Sequence, residues 1–322
     1  MIAAHASIAG VAYVFPETTR SVRELAAAGK LQSDAALLEE FGFGRVHVAT
    51  TETPYDLALR AASGVLRHRS VAPETVDMLI YAGTPSVAFT AAGGGPAAAA
   101  RVNTTQRFHY PATRLQYDLG LERASTFAID QVACTSLFSA IRIASAMCVT
   151  GEAERVLCVS SEFFPSNAGR EAIYNCTSDA ACAVIVERGG ERNRIVASAQ
   201  VTKGYYWDCD ALRNEIVASY FPTSRHVVTE ALRRAQWQPS DVKWVLPHNV
   251  STRSWDILIG LLGIPRERLW SRNIARDGHT LAGDNFINLR DAHDAGCIDP
   301  GDKLLLFSYG YGAHWTALAV EA

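Results

Sequence analysis

The sequence predicts a layered α/β protein with largely buried sheets, and three observations carry that prediction. Short apolar runs, such as Val76-Asp-Met-Leu-Ile-Tyr-Ala-Gly and Arg155-Val-Leu-Cys-Val, read as strands covered on both faces. Between them lie segments whose apolar residues recur every three or four positions, the spacing of one buried helix face. The two kinds of segment alternate along the whole chain, which is the pattern of sheets packed between helices.

Bulk properties agree. At 322 residues the chain is long enough for one large or two medium domains. Hydrophobic content of 48% and charged content of 20% are ordinary for a folded soluble protein. A net charge of −3 gives no global pull toward nucleic acid or an anionic membrane, and neither is expected as a partner. The seven cysteines form no C-x-x-C pair and lie mostly in apolar segments, as suits thiols in a reducing compartment. The first residues lack a basic region, and no apolar run reads as a membrane span, so a cytoplasmic location is expected.

Taken in order, residues 8–14 read as a first strand, and residues 18–40, with Leu25, Leu31, Leu37 and Leu38, as helical. A helix should start at a Thr51/Thr53 cap with Pro54 in its first turn and run to Arg67. The strand at 76–83 follows. Residues 91–100 are so rich in Gly and Ala that loop and tightly packed helix both fit. A helix over 110–119 leads to a strand at 127–129, a polar turn, and a helix marked by Leu137, Ile141, Ala144 and Met147. Strands are expected at 155–161 and 179–187. The polar, glycine-containing stretch 187–194 is a seam, dividing the chain into halves 1–187 and 188–322. Beyond it come a strand at 195–203, a helix at 224–236, a strand at 242–246, and helices at 255–262 and 286–292. A last strand at 303–309 runs into Gly310-Tyr311-Gly312.

Cys134 stands where a strand turns into a helix. Unpaired backbone N–H groups and the positive end of the helix dipole favour a thiolate there, which is an acceptor for activated acyl groups. A buried, inert thiol is the alternative. His248 follows a strand ending in Pro247, and His279 lies in the glycine-flanked loop Asp277-Gly-His-Thr-Leu-Ala-Gly. Either is acceptable as a hydrogen-bonded structural residue, but two such histidines and a strand-end cysteine together suggest acyl transfer. A zinc site built from the same three side chains is a minor alternative.

Five stretches carry a resemblance: Ile129-Asp-Gln-Val-Ala-Cys134-Thr-Ser, Ser178-Asp-Ala-Ala-Cys-Ala-Val, Leu246-Pro-His248-Asn-Val-Ser, Gly278-His-Thr, and Gly301-Asp-Lys-Leu-Leu-Leu-Phe-Ser-Tyr-Gly-Tyr-Gly312-Ala-His-Trp. In this order the chain resembles the thiolase superfamily, and within it the β-ketoacyl-(acyl-carrier-protein) synthase III branch. The resemblance implies a five-layered α-β-α-β-α fold of two similar halves and a homodimer. It implies that Cys134 carries the acyl group and that the backbone N–H groups of Cys134 and Tyr311 form the oxyanion hole. It implies acyl thioester substrates, on acyl carrier protein or coenzyme A, no tightly bound cofactor and no metal.

The departures matter as much. His279 stands where that branch usually has Asn, so that Cys134, His248 and His279 resemble the Cys-His-His site of elongating synthases. Asp284 is a possible partner for the His279 imidazole, although a helix N-terminal role is the favoured reading. Residues 35–43 and 160–165 lack the Trp and Arg that clamp adenine in priming synthases, which makes a carrier-protein thioester the expected donor. Arg233, Arg234, Arg266, Arg268, Arg272 and Arg276 are candidates for a basic docking surface, or are simply solvated. Tyr311 in a glycine turn suggests backbone strain. Residues 91–100, with His109 and Tyr110, fall where the family forms its acyl tunnel. The expected reaction is acylation of Cys134, then decarboxylative Claisen condensation with a malonyl-type thioester assisted by His248 and His279. Transfer to a hydroxyl or amine, and a non-catalytic partner subunit, are the alternatives.

Overall fold

The computed structural model describes residues 5–83 and 109–322. In chain order they form β1 (Ala6–Val14), β2 (Thr19–Ser21), α1 (Val22–Ala27), α2 (Ala35–Glu40), β3 (Arg45–His47), α3 (Pro54–His68), β4 (Met78–Ala82), α4 (Pro111–Asp118), β5 (Ser125–Ile129) and α5 (Ser136–Thr150). Next come β6 (Arg155–Glu162), β7 (Glu171–Ala172), β8 (Asn175–Cys176), β9 (Ala180–Arg188), β10 (Arg194–Thr202) and α6 (Arg213–Ala235). The chain ends through β11 (Val242–Pro247), α7 (Thr252–Leu262), α8 (Arg272–Asp277), α9 (Asp284–Asp294), β12 (Lys303–Gly310) and β13 (His314–Glu321). The Gly/Ala-rich stretch 91–100 lies outside the described residues.

Nine strands are linked in the order β11-β12-β13-β10-β1-β9-β6-β4-β5. The first-half strands occupy one side of that order and the second-half strands the other. They join through a single residue pair, Ser7 with Arg194. The period-two alternation of strand side chains sorts the core into layers. Ala181, Ala183 and Ile185 of β9 pack with α3 and α4, whereas Cys182, Val184 and Val186 face α5 and α9. In the other half, Leu304 and Leu306 of β12 face that same α5/α9 layer, and Leu305 and Phe307 face α6 and α7. The result is α3/α4, sheet, α5/α9, sheet, α6/α7, five layers in all. Phe138 of α5 and Phe286 of α9 meet in the middle, ring centroids 5.1 Å apart.

Local signals explain most boundaries. Thr53 and Asp56 form a reciprocal capping box with Pro54 in the first turn of α3. α5 ends at Gly151, whose φ of +83° terminates the helix in the left-handed conformation. Three expectations change. Residues 18–40 form the short strand β2 and then two short helices, because Gly29 breaks the first helix (φ +66°) and Asp34 caps the second. α6 starts at Arg213, eleven residues before the expected start at Ser224, and carries Pro222 in its interior. The stretch Ala133–Thr150 is apolar and long enough to cross a membrane by composition, yet it is the central-layer helix, packed against both sheets.

Candidate active site

The turn between β5 and α5 is a strained elbow. Gln131 (φ +62°) and Ala133 (φ +44°), neither of them glycine, sit in left-handed conformations that cost roughly 1–2 kcal/mol each. Thr135 braces the turn, its amide and hydroxyl both donating to the Val132 carbonyl at 3.1 and 2.7 Å. Ser308 of β12 donates to the Cys134 carbonyl at 3.2 Å, tying the elbow to the other half of the chain. Cys134 is buried at 8% exposure.

Gly310 lies against this elbow. A Cβ there would stand 2.7 Å from the Val132 carbonyl oxygen and 3.1 Å from the Cys134 amide nitrogen, so only glycine lets β12 come this close. Tyr311 follows directly. The left-handed backbone of that turn falls on Gly312 (φ +124°), so the strain expected at Tyr311 is absent. The Tyr311 ring turns edge-on to Tyr309, centroids 6.1 Å apart.

His279 reaches Cys134 from the second half: its Nε2 is 3.4 Å from Sγ. The loop that carries it is fixed by main-chain bonds to the first half, His279 N–H to the Cys176 carbonyl (2.8 Å) and Ser178 N–H to the His279 carbonyl (2.9 Å). Gly278 is required there, since it has φ +66° and a Cβ would meet the Cys176 carbonyl oxygen at 2.9 Å. Asp284 is the imidazole partner, contrary to the favoured reading of it as only a helix N-terminal residue. It does both: as the first residue of α9 it is fully buried, and its Oδ2 accepts from His279 Nδ1 at 2.5 Å. The Asn249 amide also donates to Oδ2, and the Thr280 amide and hydroxyl donate to Oδ1, all at 2.6 Å. Burial opposes a charge on His279, but Asp284 and the Cys134 sulfur outweigh it and hold the imidazole well above its ordinary range.

His248 is 1% exposed at the end of β11, its ring centroid 6.2 Å from that of His279. Trp255 Nε1 donates to its carbonyl at 2.9 Å, and the Trp255 and Phe307 rings flank it. From α9, Asn285 donates to the Leu246 and Phe307 carbonyls, and Asn288 to that of Pro247. This clamps the ends of β11 and β12. Burial, and then the charge on His279, push His248 down to about 3, so this imidazole is neutral.

Cys134, His248 and His279 are thus gathered in one buried place, with the Gly310-Tyr311-Gly312 turn beside them. Sequence reasoning missed Asn249, Thr280 and Tyr220, whose hydroxyl lies 3.5 Å from His248 Nε2. Tyr220 fell before the expected helix start, where no periodicity marked it. The expected docking arginines are mostly committed elsewhere. Arg233 and Arg234 pair with Glu230, Arg266 with Asp256, and Arg276 with Asp277 and Asp291. Arg268 donates to the Ser240 and Val242 carbonyls, and Arg272 lies over the Trp270 ring. His109 and Tyr110 are exposed just ahead of α4.

Comparison with known proteins agrees with the layered fold. Residues 130–204 match the family described as 3-oxoacyl-[acyl-carrier-protein (ACP)] synthase III. Residues 232–322 match the C-terminal part of the same family. The chain is 26% identical to a β-ketoacyl-[acyl-carrier-protein] synthase III of Aquifex aeolicus, covering 90% of this chain and 91% of the relative. It is 28% identical to β-ketoacyl-[acyl-carrier-protein] synthase III 3 of Streptomyces coelicolor, covering 89% of each. In fold it superposes on the crystal structure of the Aquifex aeolicus synthase with a TM-score of 0.82 at 24% identity, covering 98% of this chain and 100% of the other. The acyltransferase ChlB3 superposes with a TM-score of 0.83 at 21% identity, over 99% and 98%. With both segments matched in order and the layered fold shared, the chain belongs to the 3-oxoacyl-(acyl-carrier-protein) synthase III family of the thiolase superfamily.

Proposed function

We propose that this acyltransferase works through an acyl-Cys134 thioester. The contact that carries the reading is Cys134 Sγ to His279 Nε2 at 3.4 Å, with Asp284 on the far side of the same ring at 2.5 Å. In the first step the sulfur attacks the carbonyl of an acyl thioester. The oxyanion is met by the backbone N–H groups of Cys134 and Tyr311. Collapse breaks the donor C–S bond, and the leaving thiolate takes its proton from His279 Nε2. In the second step a malonyl-type thioester loses carbon dioxide. Its α-carbon attacks the acyl group, Cys134 leaves as thiolate, and His279 Nε2 regains its proton from solvent to close the cycle. His248, neutral at working pH, assists as a hydrogen-bonding imidazole.

A second reading, transfer to a hydroxyl or amine, is favoured by one observation. Asp284 keeps a proton on Nδ1 of His279, so once the leaving thiol has taken the other, Nε2 presents a lone pair, the form of a general base. The test is the ratio of carbon dioxide released to acyl groups transferred. A ratio near one supports condensation; transfer with none released supports the base reading. Acyl mass retained by Cys134→Ala would sink both.

A carrier-protein thioester is the proposed donor. No Trp or Arg occupies residues 35–43, and Arg170, the arginine after β6, is buried in a bidentate pair with Asp179 at 2.7 and 2.9 Å. A homodimer is the proposed assembly, since β5 ends the strand order with one neighbour among the described residues. Light scattering tests the dimer. The halves 1–187 and 188–322 are the proposed units, supported by the single Ser7–Arg194 link between their strands.

A further inference from the structure

A tyrosine from α6 reaches the tip of His248. Tyr220 Oη is 3.5 Å from Nε2 of His248, and the Tyr220 ring meets Tyr309 edge-on, centroids 5.4 Å apart and planes at 88°. Tyr309 in turn packs on Trp315 (5.0 Å) and Tyr311 (6.1 Å), the latter in the turn that lies against the Cys134 elbow. The Tyr309 hydroxyl is buried and has no hydrogen-bond partner among the described residues. Burial pushes both phenols up, so both are neutral hydroxyls able to donate and accept. Tyr309 adjoins Gly310, where a Cβ would stand 3.1 Å from the Cys134 amide nitrogen.

A buried hydroxyl without a partner is unfavourable, and a hydrogen-bonding group of a substrate would complete it. Packing alone would be served as well by Phe at position 309, since the ring contacts do not use the oxygen. Tyr220 is different: its hydroxyl lies 3.5 Å from His248 Nε2, where it can steer how that neutral imidazole is turned.

We propose that Tyr220 and Tyr309 form a two-hydroxyl subsite for the acyl acceptor, beside His248 and next to Cys134. Tyr309 binds a hydrogen-bonding group of the acceptor directly, and Tyr220 is a positioning residue that orients His248 toward it. The subsite serves the second half of the cycle only. The proposal rests on the acyl-Cys134 reading, and it concerns acceptors of either kind considered above, because a carbonyl, a hydroxyl and an amine can each bond to a phenol.

The experiment separates the two half-reactions in the full-length wild type, Tyr220→Phe and Tyr309→Phe. Acylation of Cys134 by an acyl thioester is followed by intact mass. The acyl-enzyme is then freed of donor and offered malonyl thioester, alcohol and amine acceptors, with water always present as a competing acceptor. In both variants acylation stays within about twofold of wild type and decay of the acyl-enzyme slows about tenfold or more. Tyr309→Phe melts at the same temperature as wild type or higher, since it removes an unpaired buried group, and raises the acceptor KM. Tyr220→Phe lowers the transfer rate at saturating acceptor and changes its pH profile. Transfer at the wild-type rate in both variants overturns the proposal. So does an equal slowing of both half-reactions with a lowered melting temperature, which marks a packing role. If wild-type Cys134 takes no acyl group at all, the failure belongs to the acyl-Cys134 reading and to everything built on it.

Discussion

Asp284 Oδ2 accepts a hydrogen bond from His279 Nδ1 at 2.5 Å, and three further donors, from Asn249 and Thr280, fill the rest of its two oxygens. A carboxylate so surrounded cannot turn away. It fixes the His279 tautomer and ring plane, so that Nε2 faces the sulfur.

Asp284→Asn keeps the shape but replaces an acceptor oxygen with an N–H or leaves the wrong tautomer on the ring. Acylation of Cys134 is expected to slow by about 100-fold or more. Rapid-quench mass spectrometry measures it. Acylation within threefold of wild type would show that Asp284 is only a cap for α9.

The two imidazoles give stability opposite pH dependences. His248 is held at about 3, against 6.5 for an ordinary imidazole. Between those values the unfolded chain takes up a proton that the folded chain refuses, so its contribution falls as pH falls through that window. The limiting slope is about 1.4 kcal/mol per pH unit. His279 is raised instead, so its contribution is full below the ordinary imidazole value and is lost as pH rises through its folded value. Urea unfolding at stepped pH checks this. His248→Asn should flatten the acid limb, and an unchanged limb contradicts the assignment.

Gly310→Ala inserts a Cβ 2.7 Å from the Val132 carbonyl oxygen. The elbow or β12 must shift, at about 1–3 kcal/mol. Because the displaced atoms include the Cys134 amide, acylation should fall about tenfold or more while the protein still folds. Unfolding curves and acylation rates, measured on one preparation, decide it; wild-type acylation would mean that the elbow tolerates displacement.

Arg170→Ala leaves the fully buried Asp179 carboxylate without its cation. A loss of about 3–5 kcal/mol is expected, read as a lower urea midpoint. Arg170→Lys should recover only part of it, since a point charge cannot replace the bidentate fork at 2.7 and 2.9 Å. Full recovery by Lys would contradict that account.

Much of this architecture was legible in the residues. Strand runs such as Leu304–Phe307 and the helix marked by Leu137, Ile141 and Ala144 are buried as their spacing predicts. The meeting of Cys134 with two histidines followed from motif order, and the structure places all three together. Two kinds of feature were hidden. The first half of α6 was hidden because no apolar periodicity marks it, and it continues through Pro222, since a helix held by its buried face, Ile216 and Val227 among it, tolerates one missing donor. Partnerships between side chains were hidden because charge alone does not reveal them. Asp284 looked like a helix-start acid, and six arginines looked free until their carboxylates, carbonyls and rings were seen.

Cys134 and His279 lie 145 residues apart in the chain, at the starts of the two helices that share the central layer. Neither can be correctly aimed until those helices have docked back to back through Phe138 and Phe286. Reactivity of this thiol is therefore a gauge of assembly. An apolar substitution that slides one helix along the other by a fraction of a turn would silence the enzyme with every polar group intact, and a folding intermediate with only one half formed would be chemically mute.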